Sequence, residues 1–228
     1  MIKTRLLKLL QKVGWLILVS FVYIVIGKWY MPPTTTTQLQ SIIQGRSVLF
    51  RRDYVPIEQV SPNFLLAVIA SEDGQFVQHH GIDTKATMYA LKTGRGGGAS
   101  TISQQVTKNV LLWQNQDYFR KLIEIPLALE IELIWGKRRI LEVYVNVIEM
   151  GRGIFGIQAA SQHYFQKDAA NLTVREAATI AALLPNPKKR GENINSPAIQ
   201  KRVTKIMEEM KYIKRYQPNT MKLIHDCR

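Results

Sequence analysis

Ser61-Pro-Asn-Phe-Leu-Leu-Ala-Val-Ile-Ala-Ser-Glu72-Asp73-Gly-Gln-Phe76-Val-Gln-His79-His80-Gly81-Ile-Asp83 runs an apolar helix straight into a carboxylate. Ser61-Pro62 has the N-cap and first-turn chemistry that opens a helix. Leu65, Leu66, Val68 and Ile69 give it an apolar body, and Glu72 closes it. An acid at a helix C-terminus opposes the helix dipole, which favours a functional reason for Glu72. Phe76 and the two histidines that follow could hold a loop over it.

Outward from this stretch, helical spacing dominates. Ser100 opens a helix with Ile102, Val106 and Val110 inward, and residues 118–135 make a long helix bent at Pro126, whose missing N–H costs one helical bond. A further helix over 137–150 is closed by Gly151. Thr173-x-x-Glu176 is a capping box opening a helix to Leu184, ended by Pro185-Asn186-Pro187. Ser196-Pro197 opens a last amphipathic helix through Val203, Ile206, Met207, Met210 and Ile213. Only 47–50 and 54–57 read as strands, so the fold class is mostly α.

The chain has 228 residues, 46% of them hydrophobic, enough to bury a sizeable core. Its single cysteine, Cys227, excludes an internal disulfide framework and a cysteine-built zinc site. The net charge of +14 is unevenly spread. Residues 1–30 hold five bases and no acid, residues 188–228 hold eleven bases and four acids, and the part between is only +2. A dense basic stripe for a duplex is therefore missing from the globular part, and no nucleic-acid partner is expected.

From Val13 to Gly27 runs an uncharged apolar stretch bounded by Lys12 and Lys28. Snorkelling lysines and the flanking apolar residues extend it to the roughly 20 residues that span a bilayer. No small-x-small pair follows before Pro32-Pro33, so the stretch reads as an uncleaved signal anchor rather than a cleaved signal peptide. The positive-inside bias puts the N-terminus in the cytoplasm and the rest outside. The expected organisation is a cytoplasmic basic segment over 1–12, a transmembrane anchor over 13–30, an extended linker over 31–46 and a catalytic domain over 47–228.

Several motifs dissolve on inspection. Gly151-Arg-Gly-Ile-Phe-Gly156 matches a dinucleotide fingerprint, but Ile140, Leu141, Tyr144, Val145 and Ile148 before it repeat at helical spacing where a strand is needed. Lys92-Thr93-Gly94 has no Ser-x-x-Lys partner. The four histidines lack zinc-hydrolase spacing, and no metal-ligand residues are assigned. Arg120 and Glu124 are i, i+4 neighbours, which taken alone reads as a surface ion pair. Two carboxylates with adjoining cations also suit a general base beside a phosphate leaving group.

Five motif clusters in order resemble one family: Glu72-Asp73-x-x-Phe76-x-x-His79-x-Gly81-x-Asp83; Gly98-Ala-Ser100-Thr101-x-x-Gln104-Gln105-x-x-Lys108-Asn109; Arg120-Lys121-x-x-Glu124; Arg139-Ile140-Leu141-Glu142-x-Tyr144-x-Asn146; and Gly151-x-Gly153-x-x-Gly156-x-x-Ala159-Ala160-x-x-Tyr164-Phe165. This is the pattern of the peptidoglycan glycosyltransferase domain, found in class A penicillin-binding proteins and in a monofunctional form carried on a membrane anchor. The resemblance covers residues 55–205. Gln116-Asp117 stands where members often carry an Arg, and a proline usual after the Pro187 region is absent from Lys188-Lys-Arg-Gly-Glu-Asn.

The resemblance implies a lysozyme-like helical domain with a large lobe and a small membrane-proximal jaw. It implies polymerisation of lipid II into a growing glycan strand at the cytoplasmic (inner) membrane, on the periplasmic or extracytoplasmic side. Glu72 and Glu124 would be catalytic, Glu72 as base. Ser100, Thr101, Gln104, Gln105, Lys108, Arg120, Lys121 and Asn146 would bind substrate, and a divalent cation such as Mg or Mn could assist. Membrane lipid and other cell-wall synthesis proteins are the further partners implied. A muramidase or lytic transglycosylase and a non-catalytic cell-wall scaffold are the alternatives. The glycine-rich segment 93–98 is expected to move as a flap, and Leu111-Leu112-Trp113 to touch the membrane.

Overall fold

In the computed structural model, which describes residues 2–43, 53–93, 100–115 and 117–227, helices predominate as expected. The centre is α3, Pro62–Glu72, whose residues 64–69 are all buried. A helix apolar on every side must be enclosed. Helices α8 (Val174–Leu183), α10 (Pro197–Tyr216) and α11 (Pro218–Asp226) enclose it. The capping box of Thr173 and Glu176 is formed, and α10 buries Val203, Ile206, Met210 and Ile213. Helix α11 went unread in the sequence.

Helix α5, Ile102–Leu111, packs along α6, Tyr118–Val147. Pro126 lies inside α6, while the helical geometry breaks at Gly136, whose φ of 71° and ψ of 168° leave the helical region. The break therefore falls between the two helices expected over 118–135 and 137–150. The second ends at Val147, and Glu149–Gly151 (β1) pairs with Ile154–Phe155 (β2) in an antiparallel hairpin. The glycine motif thus forms a turn rather than a nucleotide cradle. Gly156 has φ +82°, and a Cβ there would lie 2.8 Å from the Asn146 carbonyl oxygen, so only glycine fits. It leads into α7, Ile157–Phe165.

Three local expectations fail for identifiable reasons. Residues 54–56 form no strand and Ile57–Gln59 is a 3-10 turn. The Asn146 side chain replaces a partner strand, accepting from Val55 N at 3.0 Å and donating to Val55 O at 2.9 Å. The expected strand at 47–50 lies outside the described residues, as do Gln116 and the glycine-rich segment from Gly94 onward. Instead of an extended linker, Thr36–Ile43 forms α2, packed on α5. The Thr36 hydroxyl lies within hydrogen-bond reach of the Asn109 and Leu112 carbonyls at the end of α5, and of Lys108 O, which already accepts from Leu112 N. Thr101, not Ser100, caps α5.

Helix α1, Ile2–Gly27, contains the one stretch among the described residues long and apolar enough to cross a membrane, Leu10–Gly27. Its C-terminal end is fastened to α6 on both sides of Gly136. Trp135 Nε1 donates to Ile24 O at 2.6 Å, and Arg139 donates twice to Gly27 O at 3.1 and 3.0 Å. The remaining helices are α4, Thr84–Thr93, and the short α9, Pro187–Arg190.

Candidate active site

Glu72 ends α3 beside a pocket of about 100 Å³ lined also by Asp73, Gly74, Gln75, Asp83, Ala86, Ser100 and Thr101. Its side chain is only 11% exposed. Oε2 accepts from Gln105 Nε2 at 3.1 Å, whereas Oε1 is buried without a hydrogen bond among the described residues and lies 3.8 Å from the Arg202 guanidinium. Burial pushes the carboxyl above its ordinary range, opposed by the Gln105 hydrogen bond and by Arg202 and Arg190. Such a group holds a proton more readily than an exposed glutamate does, which suits proton transfer.

The neighbouring loop is fixed by a polar network. Asp73 binds His79 Nε2 at 3.0 Å and accepts from Ile102 N at 2.9 Å, tying the loop to the start of α5. Lys137 pairs with Glu132, which accepts from Ser103 Oγ at 2.6 Å, and its ammonium sits 4.5 Å from the Phe76 ring centroid. The Lys137 ammonium is pulled below the usual lysine range, chiefly by burial. Phe76 and His79 thus hold the loop as the sequence suggested, while His80 is exposed.

A second cluster gathers on α5 and the first turns of α6. Glu124 is 2% exposed, and its two oxygens are taken by Arg120 and Lys121. Arg120 and Glu124 are therefore a buried ion pair, joined by a partly exposed Lys121, and not the surface pair that spacing alone suggests. Arg120 also donates through Nε to Asn115 O at 2.9 Å. Lys108 lies within electrostatic reach of both clusters, and burial, followed by Arg120, draws its ammonium below the usual lysine range. Three clustered cations with one carboxylate between them leave an excess of positive charge, suited to an anionic ligand.

A chain of contacts links the clusters. Lys121 Nζ reaches Ser100 Oγ at 3.3 Å, Gln105 Nε2 reaches Ser100 O at 3.4 Å, and Gln105 continues to Glu72. Glu72, Ser100, Gln105, Lys108, Arg120, Lys121 and Glu124 are therefore brought together. Thr101, which also lines the pocket, Gln104 and Asn146 make structural hydrogen bonds as well. Thr101 and Gln104 form a reciprocal capping box, and the Thr101 hydroxyl also donates to Gly81 O at 2.6 Å. Asn146 spends its amide on Val55 and on the Glu142 carbonyl. Arg202 and Arg190 join the site without any motif to announce them, and Tyr144 joins it from a motif that assigned it no role, whereas Thr101-x-x-Gln104 is a capping-box signature visible in the sequence.

No group of three or more metal-ligating side chains occurs among the described residues. Glu124 has both oxygens on cations, and Asp73 is engaged by His79 and a backbone N–H. Among the described residues, the side chains do not fit a protein-held divalent cation.

Comparisons with known proteins point to one family. A family model described as transglycosylase matches residues 39–211. The biosynthetic peptidoglycan transglycosylase of Pseudomonas syringae pv. syringae is 37% identical over 221 residues, covering 93% of this chain and 94% of that one. Its namesake in Shewanella frigidimarina is 46% identical over 176 residues, 75% of this chain and 76% of that one. The Haemophilus influenzae protein of the same name is 48% identical over 163 residues, 69% and 66% of the two chains. With three quarters of its length under the family model and a buried carboxylate set beside clustered cations, the chain belongs to the transglycosylase family.

Proposed function

We propose that this chain is a membrane-anchored peptidoglycan glycosyltransferase that polymerises lipid II. The 4-hydroxyl of the acceptor's N-acetylglucosamine attacks the anomeric carbon of the donor glycan, and undecaprenyl pyrophosphate leaves. An α-linked pyrophosphate becomes a β-glycosidic bond, so the displacement inverts. Glu72 takes the hydroxyl proton, a step worth roughly 10²–10⁴-fold. Lys108, Arg120 and Lys121 receive the charge that builds on the pyrophosphate oxygens, and Glu124 holds two of them in place. Ser100 and Gln105 bridge the two ends of the reaction. The observation that carries this reading is the buried Glu72 carboxyl, with its raised pKa, joined by contacts to the cation cluster.

The first half of α6 supports a site at the bilayer surface. Arg120, Glu124, Ala128, Ile131 and Trp135 form its buried stripe, while the opposite stripe of Tyr118, Leu122, Pro126, Leu129 and Leu133 is exposed. Leu122 is 70% and Leu133 86% exposed. A helix that hides charge and shows leucine is reversed relative to one facing water, and lipid is the solvent that accepts it. Trp29 and Tyr30, exposed just past α1, suit the interfacial belt. Of the expected contact through residues 111–113, Leu112 is buried and Leu111 half-buried while Trp113 is exposed, so Trp113 and the exposed stripe of α6 are the residues that suit lipid. By the positive-inside bias, Lys3, Arg5 and Lys8 before Leu10–Gly27, with Lys12 at its start, favour a cytoplasmic N-terminus and a single pass with the catalytic residues outside.

Purified full-length protein given labelled lipid II should yield a polymer that muramidase digests, and Glu72→Gln should abolish it while circular dichroism stays unchanged. No muramidase-sensitive polymer across detergents and divalent-ion conditions would reject the reading. A hydrolase would instead release soluble muropeptides from isolated sacculi.

A further inference from the structure

Tyr144 lies in the second half of α6, fully buried, with its hydroxyl 3.1 Å from Gln105 Oε1. A hydroxyl enclosed in a core costs stability unless it is bonded, and phenylalanine would pack the same space without that cost. The bond has a directional consequence. An amide oxygen only accepts, so with Oε1 turned to the Tyr144 hydroxyl, Nε2 must face the other way. Nε2 there donates to Glu72 Oε2 at 3.1 Å and toward Ser100 O at 3.4 Å. The flipped amide would set an oxygen against the carboxylate and lose both bonds.

We propose that Tyr144 is a positioning residue for the reaction, acting through Gln105 to fix the orientation of the Glu72 carboxylate. The proposal rests on Glu72 being the base. It explains why a half-exposed amide stands between a core tyrosine and the carboxylate: rotamer freedom at Glu72 is removed from one side only, leaving the pocket side open to the acceptor. The charged groups facing Glu72 are Arg202 from α10, Arg190 from α9, Lys108 from α5 and its neighbour Asp73. Of the groups that favour the ionised carboxylate, the Gln105 amide is the strongest. Loosening it therefore moves Glu72 ionisation to higher pH, and the acid limb of the kcat/KM profile with it.

The test uses the full chain with lipid II. Tyr144→Phe, folded by circular dichroism, should lower kcat roughly 5-fold with KM unchanged and shift the acid limb upward. Gln105→Met should do the same more strongly, roughly 10-fold or beyond. Because Tyr144 acts through Gln105, the double variant should match Gln105→Met alone. Multiplying effects in the double variant, or a folded Tyr144→Phe with wild-type kcat and acid limb, overturns the proposal. Should Tyr144→Phe not fold, Gln105→Met decides, since an unmoved acid limb there removes the relay. An active Glu72→Gln would instead remove the base assignment itself.

Discussion

The two halves of α6, divided at Gly136, have the same secondary structure and opposite logic. Before the glycine, Arg120 and Glu124 are buried and Tyr118, Leu122 and Leu133 are exposed. After it, Ile140, Leu141, Val143, Tyr144, Val145 and Val147 are all buried. The second half is held mainly by core packing, with the buried Glu142 paired to Arg139 and the Asn146 amide fully bonded. The first carries a buried Arg120–Glu124 pair on one side and an apolar face on the other, the arrangement on which the proposed phosphate-bearing substrate and lipid surface rest. Identical helix geometry can thus hold a core or build a site, depending on what solvates each face.

The contrast breaks most visibly at Glu124. Glu124→Leu would leave Arg120 and Lys121 without their counter-ion beside Lys108, costing about 3–5 kcal/mol of stability. Turnover of lipid II should fall by more than roughly 10²-fold as the cations lose their placement. A rate within tenfold of wild type would show that the cluster serves the fold and not the substrate.

Next comes a pair of leucines one on each side of Gly136. Leu141→Ala, in the enclosed half, should cost about 2–5 kcal/mol in denaturant unfolding carried out in detergent. Leu133→Ala should stay within about 0.5 kcal/mol under the same conditions, because its side chain already faces outward. Equal costs would mean that Leu133 packs against protein and that the reversed face is not a lipid face. A functional version follows. Leu122→Ser combined with Leu133→Ser should keep the fold and lower the detergent needed in solution. It should slow polymerisation of long-chain lipid II roughly 10-fold, and of a short-chain analogue by less, since the lost term is lipid contact.

Why only part of this was legible follows from the same contrast. Helices α3, α8 and α10 start where Ser61-Pro62, Thr173-x-x-Glu176 and Ser196-Pro197 announce them, α8 through its capping box and the other two through the proline in the first turn, since neither serine side chain makes a cap bond. The stop near Gly136 was readable because glycine interrupts an otherwise continuous pattern. Leu122, Leu129 and Leu133 were not readable as surface, because a leucine in sequence does not say whether protein or lipid will cover it. Glu124 read as a surface acid for the converse reason: i, i+4 spacing gives the partner but not the burial. The structural bonds of Thr101 to Gly81 O and of Asn146 to Val55 were not readable, because those partners lie 20 and 91 residues away in the chain. Arg202 and Tyr144 reach Glu72 only through the packing of α10 and α6 around α3.

The smallest expected effect separates the two carboxylates. Glu124 belongs to the first half of α6 and has a cation on each oxygen, whereas Glu72 leans on the second half through Gln105 and Tyr144, with its longer contact to Arg202. Burial raises the Glu72 carboxyl above its ordinary value of 4.5 in the folded protein. Between that value and the folded one, the native state binds more protons than the unfolded chain, so stability falls as pH rises through the window. Glu72→Gln removes the ionisable group and with it this loss. The variant should therefore be more stable than wild type at neutral pH by a small margin that disappears below about pH 4.5, where both forms are uncharged at this position. Glu124→Gln should behave oppositely at neutral pH, losing stability because Arg120 and Lys121 lose a full counter-charge. Thermal melts of the three proteins at acid and neutral pH in one detergent would decide it. A Glu72→Gln protein less stable than wild type at neutral pH would mean that Arg202 and Gln105 more than offset the burial of this carboxylate, and Glu72 would then be a structural anion like Glu124.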